Sequence, residues 1–154
     1  NRVLLSSCYD VGAGLWDYRE NSAGEVRFNT LWKKKDALDC HYSSPVAFGD
    51  FVYGFHGRQE RRPVLRCISL KDGKVMWEAP SMGAGNLIRA KDKLLVLSED
   101  GELIIAEASP KGFRALHRQQ ILGTGARAHF SLAKGRLFAR DQRRLVCMRL
   151  DKFE

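Results

Sequence analysis

The side chains able to act as nucleophiles, bases or metal ligands are scattered through this 154-residue sequence rather than gathered into motifs. Cys8, Cys40, Cys67 and Cys147 make no C-x-x-C and no adjacent pair, the spacings by which thiolates close on zinc or on each other. His41, His56, His117 and His129 form no H-x-x-x-H and no His/Cys cluster. Hydrogen-bonded histidines in loops are therefore the plainer reading, although His41 and His129 fall where a central channel would be lined. Gly83-Ala84-Gly85 and Gly123-Thr124-Gly125 lack the order G-x-G-x-x-G and open no helix, which argues against a phosphate loop. They read as flexible links.

Arginine is the residue type whose spacing carries most. Arg58, Arg61 and Arg62 crowd one turn, and Arg140, Arg143 and Arg144 crowd another. Guanidinium groups so placed suit phosphate or carboxylate, with a strong salt dependence for phosphate. A net charge of +8, from 26 Lys and Arg against 18 Asp and Glu, fits an anionic partner: a polyanion, a membrane surface or an acidic protein. A solvated basic surface accounts for the same numbers. No aromatic residues interleave with the arginines, as single-stranded nucleic acid would require.

The chain is long enough for one domain with a core, and its 44% hydrophobic content is that of a globular protein. Its longest apolar runs, such as Leu94-Leu95-Val96-Leu97, are far too short to cross a bilayer. The sequence opens inside a strand-like run, Arg2-Val3-Leu4-Leu5, with no charged-then-apolar leader. The cysteine pattern leaves the compartment open.

A repeat positions all these residues. Ser44-Pro45-Val46-Ala47-Phe48-Gly49-Asp50-Phe51-Val52-Tyr53 reads as strand, turn, strand; residues 87–96 and 130–139 repeat it, with turns at 49, 92 and 135 and a spacing of 43 both times. A second hairpin follows each, as in residues 64–77, which turn at Asp72-Gly73 and end on Trp77. The strands are short and rich in Val, Ile, Leu, Phe and Tyr, and no window sustains a helical apolar period. The expected fold is all-β. Four antiparallel strands per ~40 residues is the unit of a β-propeller blade, which must stack on its neighbours to bury its faces. The repeats divide the chain into a partial blade at 1–36, blades at 37–85 and 86–128, and a partial blade at 129–154. That is about three and a half blades, expected to be part of a larger ring of about seven or eight. Trp32 and Trp77 end fourth strands and are expected to fill the space between blades; in the repeat alignment Trp77 faces Leu116.

Leu65-Arg66-Cys67-Ile68-Ser69-Leu70-Lys71-Asp72-Gly73-Lys74-Val75-Met76-Trp77 resembles the PQQ-like propeller repeat, in which a strand, an Asp/Thr-Gly-Lys turn and a second strand end in Trp. Ser43-Ser44-Pro45-Val46 with Gly49-Asp50-Phe51-Val52-Tyr53 is similar to that family's first two strands, and Asp100-Gly101-Glu102-Leu103 to the turn that follows them. The resemblance implies one of two functions. Quinoprotein alcohol or sugar dehydrogenases of this family bind pyrroloquinoline quinone (PQQ) with calcium, beside paired adjacent cysteines that this sequence lacks. Non-catalytic members include an outer-membrane β-barrel assembly lipoprotein. The expectation is the non-catalytic kind: a binding or assembly scaffold in a bacterial envelope or secreted protein, with protein partners, no catalytic residue, no metal and no cofactor. The alternatives are a PQQ-dependent dehydrogenase and, more weakly, polyanion binding through a rim formed by Arg58, Arg61, Arg62, Arg140, Arg143 and Arg144. Periplasmic or secreted location follows from the resemblance alone.

Overall fold

Runs of four to six β-branched, leucine and aromatic residues, broken by Gly, Asp and Lys, leave room for strands and little else. The computed structural model describes residues 1–80 and 82–150. Among them the only helical element is a single 3-10 turn, Gln59–Arg61. The rest of the regular structure is four antiparallel sheets, each a meander in chain order. The first holds β1 (Arg2–Ser7), β2 (Gly12–Glu20) and β3 (Val26–Lys34). The second holds β4 (Val46–Phe48), β5 (Phe51–His56), β6 (Val64–Ser69) and β7 (Val75–Glu78). The third holds β8 (Gly85–Ala90), β9 (Lys93–Ser98), β10 (Glu102–Glu107) and β11 (Ala115–Gln120), and the fourth β12 (Ser131–Ala133), β13 (Arg136–Arg140) and β14 (Leu145–Arg149). The all-β, blade-like architecture expected from the repeats is the one observed.

Strand alternation sends successive side chains to opposite faces, and here both faces of the middle sheets are covered. Val52 and Ile68 point to a core shared with Ala13, Ala37 and Leu38, between the first and second sheets. Tyr53, Phe55, Leu65 and Cys67 point the other way, onto Leu87, Leu94, Val96 and Ile104 of the third sheet. Leu95, Leu97 and Leu103 then face Leu137, Ala139 and Phe130. The continuous apolar run of β9 is thus a strand buried on both sides, not a helix fragment. Stacking of this kind gives three seams, each an independent hydrophobic layer.

The fourth-strand hairpins share a β-bulge at one place: between Leu15 and Trp16, between Cys67 and Ile68, and between Ile105 and Ala106. Beside each bulge the paired residues are Leu15 with Trp32, Cys67 with Trp77, and Ile105 with His117. The equivalent of Trp77 is therefore His117, one residue on from the Leu116 that sequence alignment selects. The shift arises in the turn, since Cys67 to Trp77 spans ten residues and Ile105 to His117 twelve; the extra residue at the bulge (Leu31, Met76, Leu116) is common to all three hairpins. Both tryptophans cross a seam: Trp32 Nε1 donates to the Leu70 carbonyl at 3.0 Å, and Trp77 Nε1 to the Ser109 carbonyl at 2.8 Å. The Trp32 ring lies on Gly73, where a Cβ would meet it at 3.0 Å. Gly73 also supplies the positive φ of 69° that its turn requires. Gly85 is no flexible link. It opens β8 in a space where a Cβ would lie 2.5 Å from the Leu97 carbonyl oxygen and 3.0 Å from the Phe55 ring.

Candidate functional site, the arginine-bearing rim

In an antiparallel meander, alternate turns emerge at the same end. The β1–β2, β5–β6, β9–β10 and β13–β14 turns accordingly share one rim with the connections at 35–45 and 121–130 and with residues 79–80 and 82–84. Side chains join these segments from seam to seam. Asp10 pairs with Arg58 at 3.9 Å, and the Arg58 guanidinium lies 4.6 Å from the centre of the Tyr9 ring. Gln59 Nε2 donates to Glu99 at 2.5 Å, and Arg127 forms an ion pair with the same carboxylate. The Gly125 and Ala126 amides donate to the Glu99 carbonyl, and Gly123 N donates to Asp141 Oδ2 at 2.8 Å. All four turns are tied into one continuous face.

Each arginine named from the sequence sits on this rim, in a different setting. Arg58 is held by Asp10 and Tyr9. Arg61 follows it in the 3-10 turn, and Arg62 ends that turn in the left-handed region at φ 52°. Both are exposed. In the other cluster Asp141 is the organiser: its buried carboxylate accepts the Gly123, Arg143 and Arg144 amides, and Arg144 Nη2 approaches it at 3.4 Å. These amide hydrogen bonds, Gly123 first, hold its pKa down to about 2. Arg143 is exposed, and Arg140 reaches the Asp141 carbonyl at 3.5 Å. No salt bridge engages Arg61, Arg62 or Arg143 among the described residues. The two clusters are linked through Glu99 rather than by direct contact. By charge alone Glu99 looks like an interruption of a basic stripe; its role as a tie depends on Gln59 and Arg127, which are distant in sequence.

Sequence reasoning missed the aromatic part of the rim. Tyr9, in the β1–β2 turn, bonds through its hydroxyl to His41 Nε2 at 3.2 Å, and their rings meet edge to face at 5.5 Å. His41 in turn lies 5.6 Å from Tyr42. Burial, then the Glu99 charge, push the Tyr42 hydroxyl up to about 12. Beneath these rings lies a polar seam. Arg66, buried on β6, donates through Nη1 to the Asp36 and Ala37 carbonyls and through Nε to Glu78 at 2.8 Å. Ser6 Oγ donates to the Leu38 carbonyl and accepts from the Cys40 amide, both at 3.0 Å, and Cys8 Sγ faces Asp39 Oδ2 at 3.8 Å.

The remaining candidates are dispersed. His129 bonds to the Phe130 carbonyl and stacks on that ring, while His117 lies on an exposed outer strand. Burial pushes the Cys40 thiol up to about 11 and the Cys67 thiol up to about 12, the opposite of what a thiolate nucleophile needs. Among the described residues no three His, Cys, Asp or Glu side chains converge as metal ligands. The cysteines lie apart, in the β1–β2 turn, a connection, β6 and β14.

The fold is similar to that in the crystal structure of BamB from Moraxella catarrhalis, with a TM-score of 0.61 and 16% sequence identity over 88% of this chain and 36% of that one. The chain thus spans about a third of the length of that protein. Ika8, a computationally designed protein, aligns over 91% of the chain at 7% identity and a TM-score of 0.49. No family model and no curated protein matches the sequence. The likeness to BamB is one of fold: a propeller-type stack of antiparallel sheets.

Proposed function

We propose that this chain is a non-catalytic propeller scaffold that holds a protein partner against its arginine-bearing rim, in a bacterial envelope or secreted protein. The observation that carries the reading is the continuity of the rim. Asp10, Arg58, Gln59, Glu99, Arg127 and Asp141 tie four turns into one face, from which Arg61, Arg62 and Arg143 project with no salt-bridge partner among the described residues. A rigid surface with free guanidinium groups is suited to recognition, because little side-chain order is lost on binding. The fold shared with BamB supports the scaffold at the coarse level. The envelope setting draws on the repeat resemblance, and no described helix is long and apolar enough to cross a membrane.

Site-specific photo-crosslinking in the cells that make the protein tests this reading. Benzoylphenylalanine at Arg62 or Arg143 is expected to give a discrete protein adduct, and the same group at Lys111, on the opposite rim, none. Equal labelling from both rims would remove the rim as the binding face. Titration with quinone and calcium addresses the dehydrogenase alternative: quinone absorbance retained by the protein, together with dye-linked alcohol oxidation, would replace the scaffold by an enzyme. Polyanion binding is the second reading favoured by the unpaired arginines. It requires heparin retention that falls in Arg61→Ala/Arg143→Ala and weakens steeply with salt.

A further inference from the structure

The corner of the rim where the first and second sheets meet carries an unusual backbone. Tyr9 and Asp10 both occupy the left-handed region, at φ 65° and 64°. Glycine would adopt that conformation freely, whereas for a bulky aromatic residue it is costly, so something must hold it. Four contacts do: Cys8 to Asp39, the Tyr9 hydroxyl to His41, the Tyr9 ring to the Arg58 guanidinium, and Asp10 to Arg58. The result is a tyrosine braced from two sides yet 59% exposed, beside Tyr42 at 38% and Val11 at 65%. Arg61 and Arg62 lie in the same turn as Arg58, where the Arg61 amide donates to the Arg58 carbonyl at 3.0 Å. Strain maintained by long-range contacts to present an exposed ring is poor design for stability and good design for recognition.

We propose that Tyr9, Tyr42, Arg58, Arg61 and Arg62 form the docking surface for an acidic segment of a partner protein that also carries an aromatic or aliphatic side chain. The proposal deepens the scaffold reading and rests on it. Tyrosine and arginine are the side chains that dominate binding at protein interfaces, since each offers large, semi-rigid area with a polar end. The apolar part of the ligand packs on the exposed tyrosine rings, and its carboxylates pair with Arg61 and Arg62, which no carboxylate of the described residues engages. Geometry disfavours the other anionic ligands. The Tyr9 and His41 rings stand at 85° and the His41 and Tyr42 rings at 55°, so no row of parallel faces awaits successive bases. Asp10, Glu60, Glu99 and Asp100 alternate with the arginines along this rim, a pattern suited to matching individual charges rather than to a uniformly anionic membrane.

Fluorescence anisotropy on the whole chain decides the matter, with three labelled probes: a short peptide alternating Glu with Phe, its Glu/Ser counterpart, and a thymidine oligonucleotide. Vesicles containing phosphatidylglycerol complete the set. The Glu/Phe peptide is expected to bind about tenfold or more tighter than the Glu/Ser peptide, and to lose about tenfold in both Tyr9→Ala and Arg61→Ala/Arg62→Ala. Tyr9→Gly separates recognition from folding, since it relieves the backbone while deleting the ring: melting is retained and binding is lost. Equal binding of the two peptides, undiminished binding by Tyr9→Gly, or tighter capture of the oligonucleotide or vesicles would each overturn the proposal. Benzoylphenylalanine at Tyr42 distinguishes this failure from failure of the scaffold reading. A protein adduct at Arg143 but not at Tyr42 sinks the corner and leaves the rim, whereas adducts at neither sink both.

Discussion

Between the second and third sheets, β6 contributes Leu65 and Cys67; between the first and second, the same strand contributes Arg66 and Ile68. The first of these seams is dry. Tyr53, Trp77 and Phe113 run across it as a chain of tilted rings with centroids 5.9 Å apart, over a layer of leucine, valine and isoleucine. The other holds a smaller apolar layer and a polar network in which Arg66, Ser6 and Cys8 bind the connection at residues 36–40. That connection runs directly into His41 and Tyr42 at the rim. One seam therefore carries stability through buried apolar area, and the other fixes the position of the candidate binding surface. Polar bonds suit the second task because they specify one arrangement, while hydrophobic burial is non-directional.

The largest effect expected is at the dry seam. Trp77→Ala removes a large ring and leaves the Ser109 carbonyl without its donor, and should cost about 3–5 kcal/mol in urea unfolding. Trp32→Ala should cost less, because its ring covers a turn glycine rather than a full apolar layer. Equal losses in the two variants would break the distinction between the seams.

Arg66→Ala is next, at about 2–3 kcal/mol, since it strands two backbone carbonyls. Glu78 is half-exposed and recovers its solvation, which keeps the loss below that for a fully buried pair. Arg66→Lys should recover little, because a compact ammonium on a flexible stem lacks the fixed fork that spans both carbonyls and Glu78. The diagnostic is local. Amide exchange should accelerate at residues 36–42 in Arg66→Ala and stay unchanged there in Trp77→Ala. Uniform acceleration in both would mean that the polar seam has no separate positioning role.

Much of the fold was legible because its signals are local: the 43-residue period, the Asp72-Gly73 turn and the alternation that buries β5 and β9 on both faces. The bulges were not, nor was the register across the β10–β11 turn, which is two residues longer than the β6–β7 turn and is why His117 was passed over for Leu116. A bulge is a property of pairing between strands, invisible to either strand alone. The arginines of the rim could be named from their crowding in turns, but not their partners, because Asp10, Glu99 and Arg127 reach them from other sheets. Tyr9 carried only a weak local signal: an aromatic residue beside Asp10 in a short turn, with glycine not reached until Gly12. Its left-handed backbone depends on His41 and Arg58, which no inspection of residues 8–12 reveals.

The smallest effect concerns acid, and it too separates the seams. His56 ends β5, with Nδ1 buried and without a hydrogen-bond partner among the described residues. Burial first, and then the positive charge of Arg66, lower its pKa below the ordinary 6.5, against the opposing pull of Asp39, Glu78 and Asp36. The folded protein therefore binds this proton less readily than the unfolded chain. Stability should be level above about pH 6.5 and fall as the pH drops below it, because there the unfolded state takes up more protons. Asp72, Asp92, Glu107 and Asp141 are held low and act at more acid pH than His56. Melting temperatures recorded across that range should decline in the parent and in Trp77→Ala, flatten in His56→Gln, and decline less steeply in Arg66→Ala, where one cause of the lowered pKa is gone. A slope that survives His56→Gln would assign the acid sensitivity elsewhere and leave the polar seam without a titrating group.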